Sequence, residues 1–274
     1  MTGNNWLEKV KALDSTIYEC ACWTPEGTVH ERVLPHSNCG NCYSVAKTFV
    51  STAVGMLWDE GKLDVYDPIL KYFERVPGMD PRWEKVTVDH ALRHRIGFDE
   101  GFLDIDVEDV NAYPTDDYLK IILSHPLPLE PGSEYHYSDA AFYLLARLVE
   151  RVSGKDAELF LAERLFRPAH FREYAWSRCP LGHPMGATGL YLRADDMVKL
   201  GAIYACSGVY EGKRYLSEDW INLAYERQYE LHPCDPFQET ENPEWVGKGG
   251  MYGQMLIIHK TQPLVLAWHA NQMD

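Results

Sequence analysis

The chain has 274 residues, of which 46% are hydrophobic and 24% charged. This length fits one large folded domain, or two that share a cleft. The composition argues against a disordered chain. Its 26 basic and 41 acidic residues give a net charge of −15. Phosphate backbones and anionic membranes repel a chain this acidic, so we expect neither a nucleic-acid partner nor a membrane partner.

The predicted elements place strands towards both ends of the chain. In chain order we predict a helix over 5–13, strands over 15–24 and 27–34, helices over 44–57, 141–152 and 195–205 and from 217 onwards, and strands over 245–250, 252–259 and 264–269. Strands at both ends imply a sheet domain over 1–57 and 207–274, with a mostly helical subdomain over 58–206 inserted into it.

The start of the chain and its cysteines indicate a compartment. The first residues lack the basic start and apolar stretch of a signal peptide, although a leader that had been removed would leave the same start. The seven cysteines are an odd number, which favours a reducing compartment over a disulfide framework. We therefore predict a cytoplasmic protein, and the oligomeric state stays open.

Two sets of residues have the spacing of metal sites. His90 and His94 are four residues apart, like two ligands on a helix, but Ala91 stands where a zinc protease motif has glutamate. Four cysteines would offer zinc a set of thiolates, yet they belong to a predicted strand and to a loop, so we predict packed, reduced thiols. No metal and no cofactor are predicted. The cysteines of this set are Cys20, Cys22, Cys39 and Cys42.

The first candidate catalytic pair is Ser44 and Lys47, at the start of a predicted helix. Residues three apart share one face of a helix, so the lysine amine can reach the serine hydroxyl. A serine needs such a base, because its free hydroxyl is a weak nucleophile. The positive end of the helix disfavours a charged lysine and offers the Ser44 N–H to a developing oxyanion. We predict Ser44 as nucleophile and Lys47 as base.

Two further motifs accompany this pair. Tyr137-Ser138-Asp139 stands just before the 141–152 helix; its tyrosine can shuttle a proton, while Ser138 and Asp139 are also good helix caps. Lys248-Gly249-Gly250 lies on a predicted strand, where the lysine can hold an anionic group or tune Tyr137 and the glycines allow close approach of a substrate. Lys199-Leu200-Gly201 has the same pattern, but inside a predicted helix.

These motifs resemble a known family in their order and placement. Ser44-x-x-Lys47, Tyr137-x-Asp139 and Lys248-x-Gly250 are similar to the Ser-x-x-Lys, Tyr-x-Asn and Lys-Thr-Gly set of class C β-lactamases and their relatives, which include D,D-peptidases, D-aminopeptidases and β-lactamase-like esterases. Stretches between the motifs, such as 58–68 and 131–139, are also family-like. The resemblance spans about residues 15–270.

The resemblance implies both a fold and a mechanism. The fold is α+β, with a five-stranded antiparallel sheet flanked by helices and an all-helical subdomain. The mechanism passes through an acyl-enzyme on Ser44, with Lys47 and Tyr137 handling protons and Lys248 completing the catalytic set. By analogy, the N–H groups of Ser44 and Met251 form the oxyanion hole.

The chain departs from the family at several positions. Asp139 stands where asparagine is usual, Gly249 where threonine or serine is usual, and 94–97 reads His-Arg-Ile-Gly instead of His-Thr-Ser-Gly. Asp139, Gly249 and Gly250 are the candidate substrate-binding residues, so these departures bear on the substrate. Relatives also add a helix after the last strand, so we expect one sheet face to be covered by the 5–13 helix and a partner chain, or by further chain.

The leading interpretation is a serine hydrolase that acts on a small ester, amide or peptide-like substrate. A β-lactamase or D,D-peptidase is the alternative within the same class. The alternative from another class is a family member that binds an acyl ligand without turnover. The presence of Ser44, Lys47 and Tyr137 together favours the enzyme.

Overall fold

The computed structural model describes residues 2–237 and 244–272. These residues fall into two compact units. Within the described residues, the sheet unit contains 2–49, 163–175, 190–237 and 244–272, and the helical unit contains 50–162 and 176–189.

Helices and strands follow one another along the described part of the chain. The α-helices are α1 (Gly3–Leu13), α2 (Ala46–Asp59), α3 (Val88–Leu92), α4 (Tyr118–Ser124), α5 (Asp139–Ser153), α6 (Ala157–Leu161), α7 (Ala194–Ala205) and α8 (Glu218–Arg227). The strands are β1 (Ile17–Thr24), β2 (Gly27–Arg32), β3 (Gly40–Asn41), β4 (Ala175–Trp176), β5 (Leu190–Leu192), β6 (Val209–Tyr210), β7 (Lys213–Arg214), β8 (His232–Cys234), β9 (Trp245–Gly250), β10 (Gln254–His259) and β11 (Val265–Ala270).

The main sheet joins strands from both ends of the chain, in the order β2-β1-β11-β10-β9-β8. Every neighbouring pair is antiparallel, which confirms the predicted α+β class. The strand count is six instead of the five expected. The additional strand is β8, which pairs His232 with Gly247 and carries Pro233, a residue that sheets accept on edge strands.

The middle of the sheet is buried on both faces. Cys20, Ala21 and Cys22 of β1 are all buried, because α1 packs against β1 and β2 and α7 packs against β1, β10 and β11. Gly201 allows α7 this approach, since a Cβ atom there would lie 2.3 Å from Val265 Cγ1. The predicted boundaries put α7 in the helical subdomain; the structure places it in the sheet unit.

Helix ends follow the local sequence. Gly154 ends α5 in the left-handed conformation, with φ of 74°, as glycine does at helix C-termini. The Ser217 hydroxyl caps α8 by accepting a hydrogen bond from the Trp220 N–H at 3.0 Å. Ser138 takes the N-cap position of α5. The helices predicted over 141–152 and from 217 onwards are therefore confirmed.

None of the helices in residues 2–237 and 244–272 has both the length and the apolar content required to cross a bilayer.

Candidate active site

Ser44 lies in a single 3-10 turn, Tyr43–Val45, that leads directly into α2. The residues before it are held by backbone pairing: Gly40 and Asn41 of β3 pair with β5, and the Cys42 N–H donates to the Leu190 carbonyl at 2.8 Å. The position of Ser44 is thus set by a strand on one side and a helix on the other.

The turn carries backbone strain beside the candidate nucleophile. Tyr43 has φ of 47°, and Tyr252, just after the third motif, has φ of 59°. Left-handed conformations cost a non-glycine residue about 1–3 kcal/mol and persist only where the surrounding structure imposes them. The two rings pack edge to face with centroids 5.3 Å apart, so these strained turns support each other.

The sheet unit brings Ser44 and Lys47 into direct contact. Lys47 Nζ lies 3.0 Å from Ser44 Oγ, within hydrogen-bond distance. Lys47 is completely buried, whereas Ser44 is partly exposed. The arrangement couples a reachable hydroxyl to an amine that is shielded from bulk water, which is the geometry that a serine nucleophile and its base require.

The two glycines of the third motif have different surroundings. A Cβ atom on Gly250 would lie 2.4 Å from the Cys42 carbonyl oxygen, so only glycine fits where β9 meets the segment before Ser44. A Cβ atom on Gly249 would meet nothing closer than Met255 Cε at 3.5 Å, an ordinary contact. Gly250 is therefore required by packing, while Gly249 occupies a place where a side chain would fit.

Lys248 forms an ion pair that the sequence motifs do not reveal. Its Nζ lies 2.5 Å from Glu230 Oε2, and the two side chains are 9% and 1% exposed. Glu230 lies just before β8, which is the neighbour of β9 in the sheet. Nothing in the local sequence marks Glu230, because its partner comes from a different strand.

The second motif belongs to the helical unit, where His94 anchors it. His94 Nδ1 accepts a hydrogen bond from the Ser138 N–H at 3.1 Å, and the His94 ring lies 4.5 Å from the Tyr137 ring between centroids. The Ser138 hydroxyl bonds the backbone N–H and carbonyl of Phe102, each at 3.3 Å. Tyr137 itself is 37% exposed. In the sequence, His94 stands out only for its spacing from His90 and as part of 94–97, and neither feature predicts its role in holding the second motif.

Asp139 is the first residue of α5 and is almost completely buried. An acid in the first turn is favourable with the helix dipole. Carboxylate oxygens of Asp104, Asp106 and Asp139 lie within 4.8 Å of one another, and Asp106 accepts a hydrogen bond from the Thr188 hydroxyl at 2.5 Å. Asp139 thus sits among other acidic groups of the helical unit.

The residues with metal-site spacing have other surroundings. Burial raises the pKa values of Cys20 and Cys22 to about 12, which favours the thiol over the metal-binding thiolate. In the described residues, the two clusters with three or more metal-ligand side chains contain no cysteine. His90 is part of a capping box with Thr87.

The structure also separates the two lysine–glycine patterns. Lys199 lies inside α7 and pairs with Asp196 at 2.7 Å, as the interpretation of 199–201 as a helical segment predicted. Lys248 and Gly250 lie on β9, and Met251 begins the turn that follows. The sheet unit therefore assembles Ser44, Lys47 and the third motif, while Tyr137 and Asp139 belong to the helical unit.

The comparison with known families agrees with these motifs. A family model described as Beta-lactamase matches residues 41–274. The chain belongs to the beta-lactamase family. The matched region contains all three motifs, from Ser44 to Gly250.

Comparison with curated proteins shows how far the likeness extends. The chain is 28% identical over 127 residues to an N-acetylmuramyl-L-alanine amidase of Bacillus subtilis (strain 168). The aligned region covers 44% of this chain and 29% of that protein. It is 26% identical over 192 residues to a 6-aminohexanoate-dimer hydrolase of Paenarthrobacter ureafaciens. Here the aligned region covers 65% of this chain and 48% of that protein. The chain thus spans less than half the length of these curated relatives.

A solved structure of the same fold is that of a penicillin binding protein from Bacillus halodurans. The two chains superpose with a TM-score of 0.74 at 19% identity, covering 100% of this chain and 96% of that chain. At this identity the likeness establishes the fold, and the chemistry has to be argued from the residues of this chain.

Proposed function

We propose that this protein is a serine hydrolase that acts through an acyl-enzyme on small esters or amides. The observation that carries the proposal is the 3.0 Å contact between Lys47 Nζ and Ser44 Oγ, made by a completely buried lysine. The relatives named an amidase and a dimer hydrolase support hydrolysis as the reaction class.

The reaction would proceed in two halves. As Ser44 Oγ bonds to the substrate carbonyl carbon, its proton passes to the Lys47 amine; the bond to the leaving alcohol or amine then breaks and the leaving group takes up a proton. The acyl group remains on Ser44 as an ester. A water molecule attacks that ester and gives one proton to the Lys47 amine; as the bond between the acyl carbon and Ser44 Oγ breaks, that proton passes to Oγ, which frees the serine and the carboxylic acid.

The remaining motif residues have proposed roles that rest on the family pattern. Tyr137 would relay protons, and the N–H groups of Ser44 and Met251 would stabilise the oxyanion, a contribution of about 10²–10³ in rate for each donor. The placement of Met251 directly after Gly250, which packs against the residue before Tyr43, supports this assignment. Asp139 and Gly249 would contact the substrate.

The substrate class we propose is a simple ester or small amide rather than a β-lactam. A carboxylate at position 139 accepts hydrogen bonds and cannot donate one to a substrate amide carbonyl, as the amide of asparagine does. Gly249 offers no hydroxyl to a substrate carboxylate. A hydrogen bond to a charged group is worth about 10- to 150-fold, so a short-chain nitrophenyl ester should have a higher kcat/KM than a chromogenic cephalosporin. Parity would favour the β-lactamase or D,D-peptidase alternative.

The free thiols bear on where the protein works. None of the seven cysteines forms a disulfide, and all seven lie in the described residues. This supports the proposal that the protein acts in the reducing environment of the cytoplasm.

Covalent labelling of Ser44 tests the proposal directly. A fluorophosphonate should modify Ser44, located by peptide mass spectrometry, and prior labelling should abolish hydrolysis of a nitrophenyl ester. Labelling of Ser44 without any turnover across a panel of esters, D-amino-acid amides and β-lactams would favour the alternative of a non-catalytic protein that binds an acyl ligand. Turnover that survives complete labelling would overturn the assignment of Ser44.

A further inference from the structure

The starting observation is the buried ion pair in the third motif. Lys248 Nζ lies 2.5 Å from Glu230 Oε2, and Glu230 is completely buried. The carboxylate therefore stays beside the lysine of the motif instead of extending into solvent. Since one positive and one negative charge are in contact, the pair as a whole carries no net charge.

The chain holds Glu230 in this position through a constrained backbone. Glu230 has φ of 61° and Gln228 φ of 56°, conformations that persist only where surrounding contacts impose them. Between them, Tyr229 is completely buried and its N–H donates to the Ala224 carbonyl at 2.9 Å, at the end of α8. The segment is thus held at the end of α8 on one side and by the pairing of β8 with β9 on the other, and Glu230 is buried between them.

This arrangement changes what Lys248 offers to a ligand. A lysine on β9, the strand that contacts the Ser44 turn, would by itself attract a carboxylate. With Glu230 in contact, an approaching anion is attracted by the ammonium and repelled by the carboxylate beside it. An uncharged group feels neither force, so the ion pair cancels the preference for anionic substrates that the lysine alone would give and leaves neutral ones unaffected.

We propose that Glu230 is a specificity-determining residue, which neutralises Lys248 and so removes the preference for acyl donors with a carboxylate that an unneutralised lysine would give. The inference deepens the proposed function and rests on it. Glu230 acts through Lys248, so its effect is on the discrimination between substrates.

The experiment compares two esters that differ only in charge. 3-Acetoxybenzoate carries a carboxylate on the leaving group, and 3-acetoxybenzamide has a neutral amide of the same shape. For the wild-type protein, kcat/KM for the benzoate should not exceed that for the benzamide. In E230Q the ratio of benzoate to benzamide should rise by about 10-fold or more, through a lower KM for the benzoate, because Lys248 can then bond the anion.

A matched variant separates this effect from a general change in charge. E226Q removes the same charge from the exposed face of α8, and its ratio should stay within about twofold of wild type, as expected for a solvent-screened surface charge. A folded E230Q protein whose ratio equals that of E226Q would overturn the proposal. So would a wild-type protein that prefers the benzoate by tenfold.

A second variant covers the case in which E230Q does not fold, since it leaves a buried lysine without its counter-ion. E230Q/K248Q removes both charges. Because Lys248 is also a candidate catalytic residue, the readout for this variant is the ratio of binding of 3-carboxyphenylboronic acid to that of 3-carbamoylphenylboronic acid, which should stay within about threefold of wild type because the pair was already neutral. A tenfold fall in the ratio would show that Lys248 acts as a free cation in the wild-type protein and would overturn the proposal.

Binding measurements separate failure of this inference from failure of the proposed function. The probes are 3-carboxyphenylboronic acid and 3-carbamoylphenylboronic acid, and calorimetry gives their dissociation constants. The affinity of the first relative to the second should rise from wild type to E230Q by about the same factor as the ester ratio. The expected shift without ester turnover would support Glu230 and overturn the hydrolase. Ester turnover without the shift in affinity would support the hydrolase and overturn the role of Glu230. Neither binding nor turnover would overturn both.

Discussion

Lys47 and Lys248 are two buried lysines of the sheet unit, and they differ in the group that each contacts. Lys47 Nζ lies 3.0 Å from the neutral hydroxyl of Ser44, whereas Lys248 Nζ lies 2.5 Å from the carboxylate of Glu230. A lysine beside a hydroxyl can exchange a proton with it. A lysine beside a buried carboxylate is held as half of an ion pair, because separating the charges would leave one of them uncompensated.

Burial of a lysine therefore does not by itself identify a catalytic group. The contacts distinguish the two lysines: the hydroxyl beside Lys47 makes it a candidate base, and the carboxylate beside Lys248 adds a structural and charge-pairing role to its place in the third motif. We accordingly expect substitutions at the Ser44 turn to lower activity and substitutions at the ion pair to lower stability.

The largest expected effect is that of S44A. Turnover of a nitrophenyl ester should fall by at least about 10³-fold, since only oxyanion and binding contributions would remain. S51A, which truncates another serine of α2, is the control and should stay near wild-type activity. An S44A protein that retains a tenth of wild-type kcat would contradict the catalytic role of the Ser44 turn.

Replacing Lys47 should separate activity from stability. K47M keeps a similar volume, so the free energy of unfolding should change by less than about 1.5 kcal/mol. The loss of the base should lower kcat by about 10²–10⁴-fold. Chemical denaturation and ester hydrolysis on the same sample measure both. A large loss of stability with little loss of kcat would assign Lys47 a structural role instead.

Replacing Lys248 should show the opposite pattern. K248M leaves the Glu230 carboxylate buried without its counter-ion, which costs about 3–5 kcal/mol of unfolding free energy. The double variant E230Q/K248M removes both charges and should recover most of that loss. If K248M and the double variant are equally stable, the loss of the counter-ion is not what destabilises K248M.

The smallest effects concern the neighbouring glycines of the third motif. G250A places a Cβ atom 2.4 Å from the Cys42 carbonyl oxygen and should cost about 1–3 kcal/mol, as overpacking does. G249A meets only an ordinary contact at 3.5 Å and should change stability by less than about 0.5 kcal/mol. Equal melting temperatures for the two variants would contradict the tight approach of β9 to the Ser44 turn.

Much of the fold was predictable because its signals are local. The apolar stripe of α5, the stop at Gly154 and the cap at Ser217 each depend on residues within about one helical turn. The count of strands in the main sheet was wrong by one. His232–Cys234 is three residues long and contains a proline, so it has no strand pattern of its own and pairs only because β9 lies beside it.

The adjacency of Ser44 and Lys47 follows from the amino-acid sequence alone, because helical spacing brings residues three apart onto one face whatever the rest of the chain does. The family also follows from it, through the order of three motifs. Three other contacts depend on the folded chain: Lys248 meets Glu230, Gly250 approaches Cys42 so closely that it has to be glycine, and His94 holds the Ser138 backbone across 44 residues of chain. These contacts join distant segments, so no local pattern encodes them, and they exist only once the strands and loops have packed.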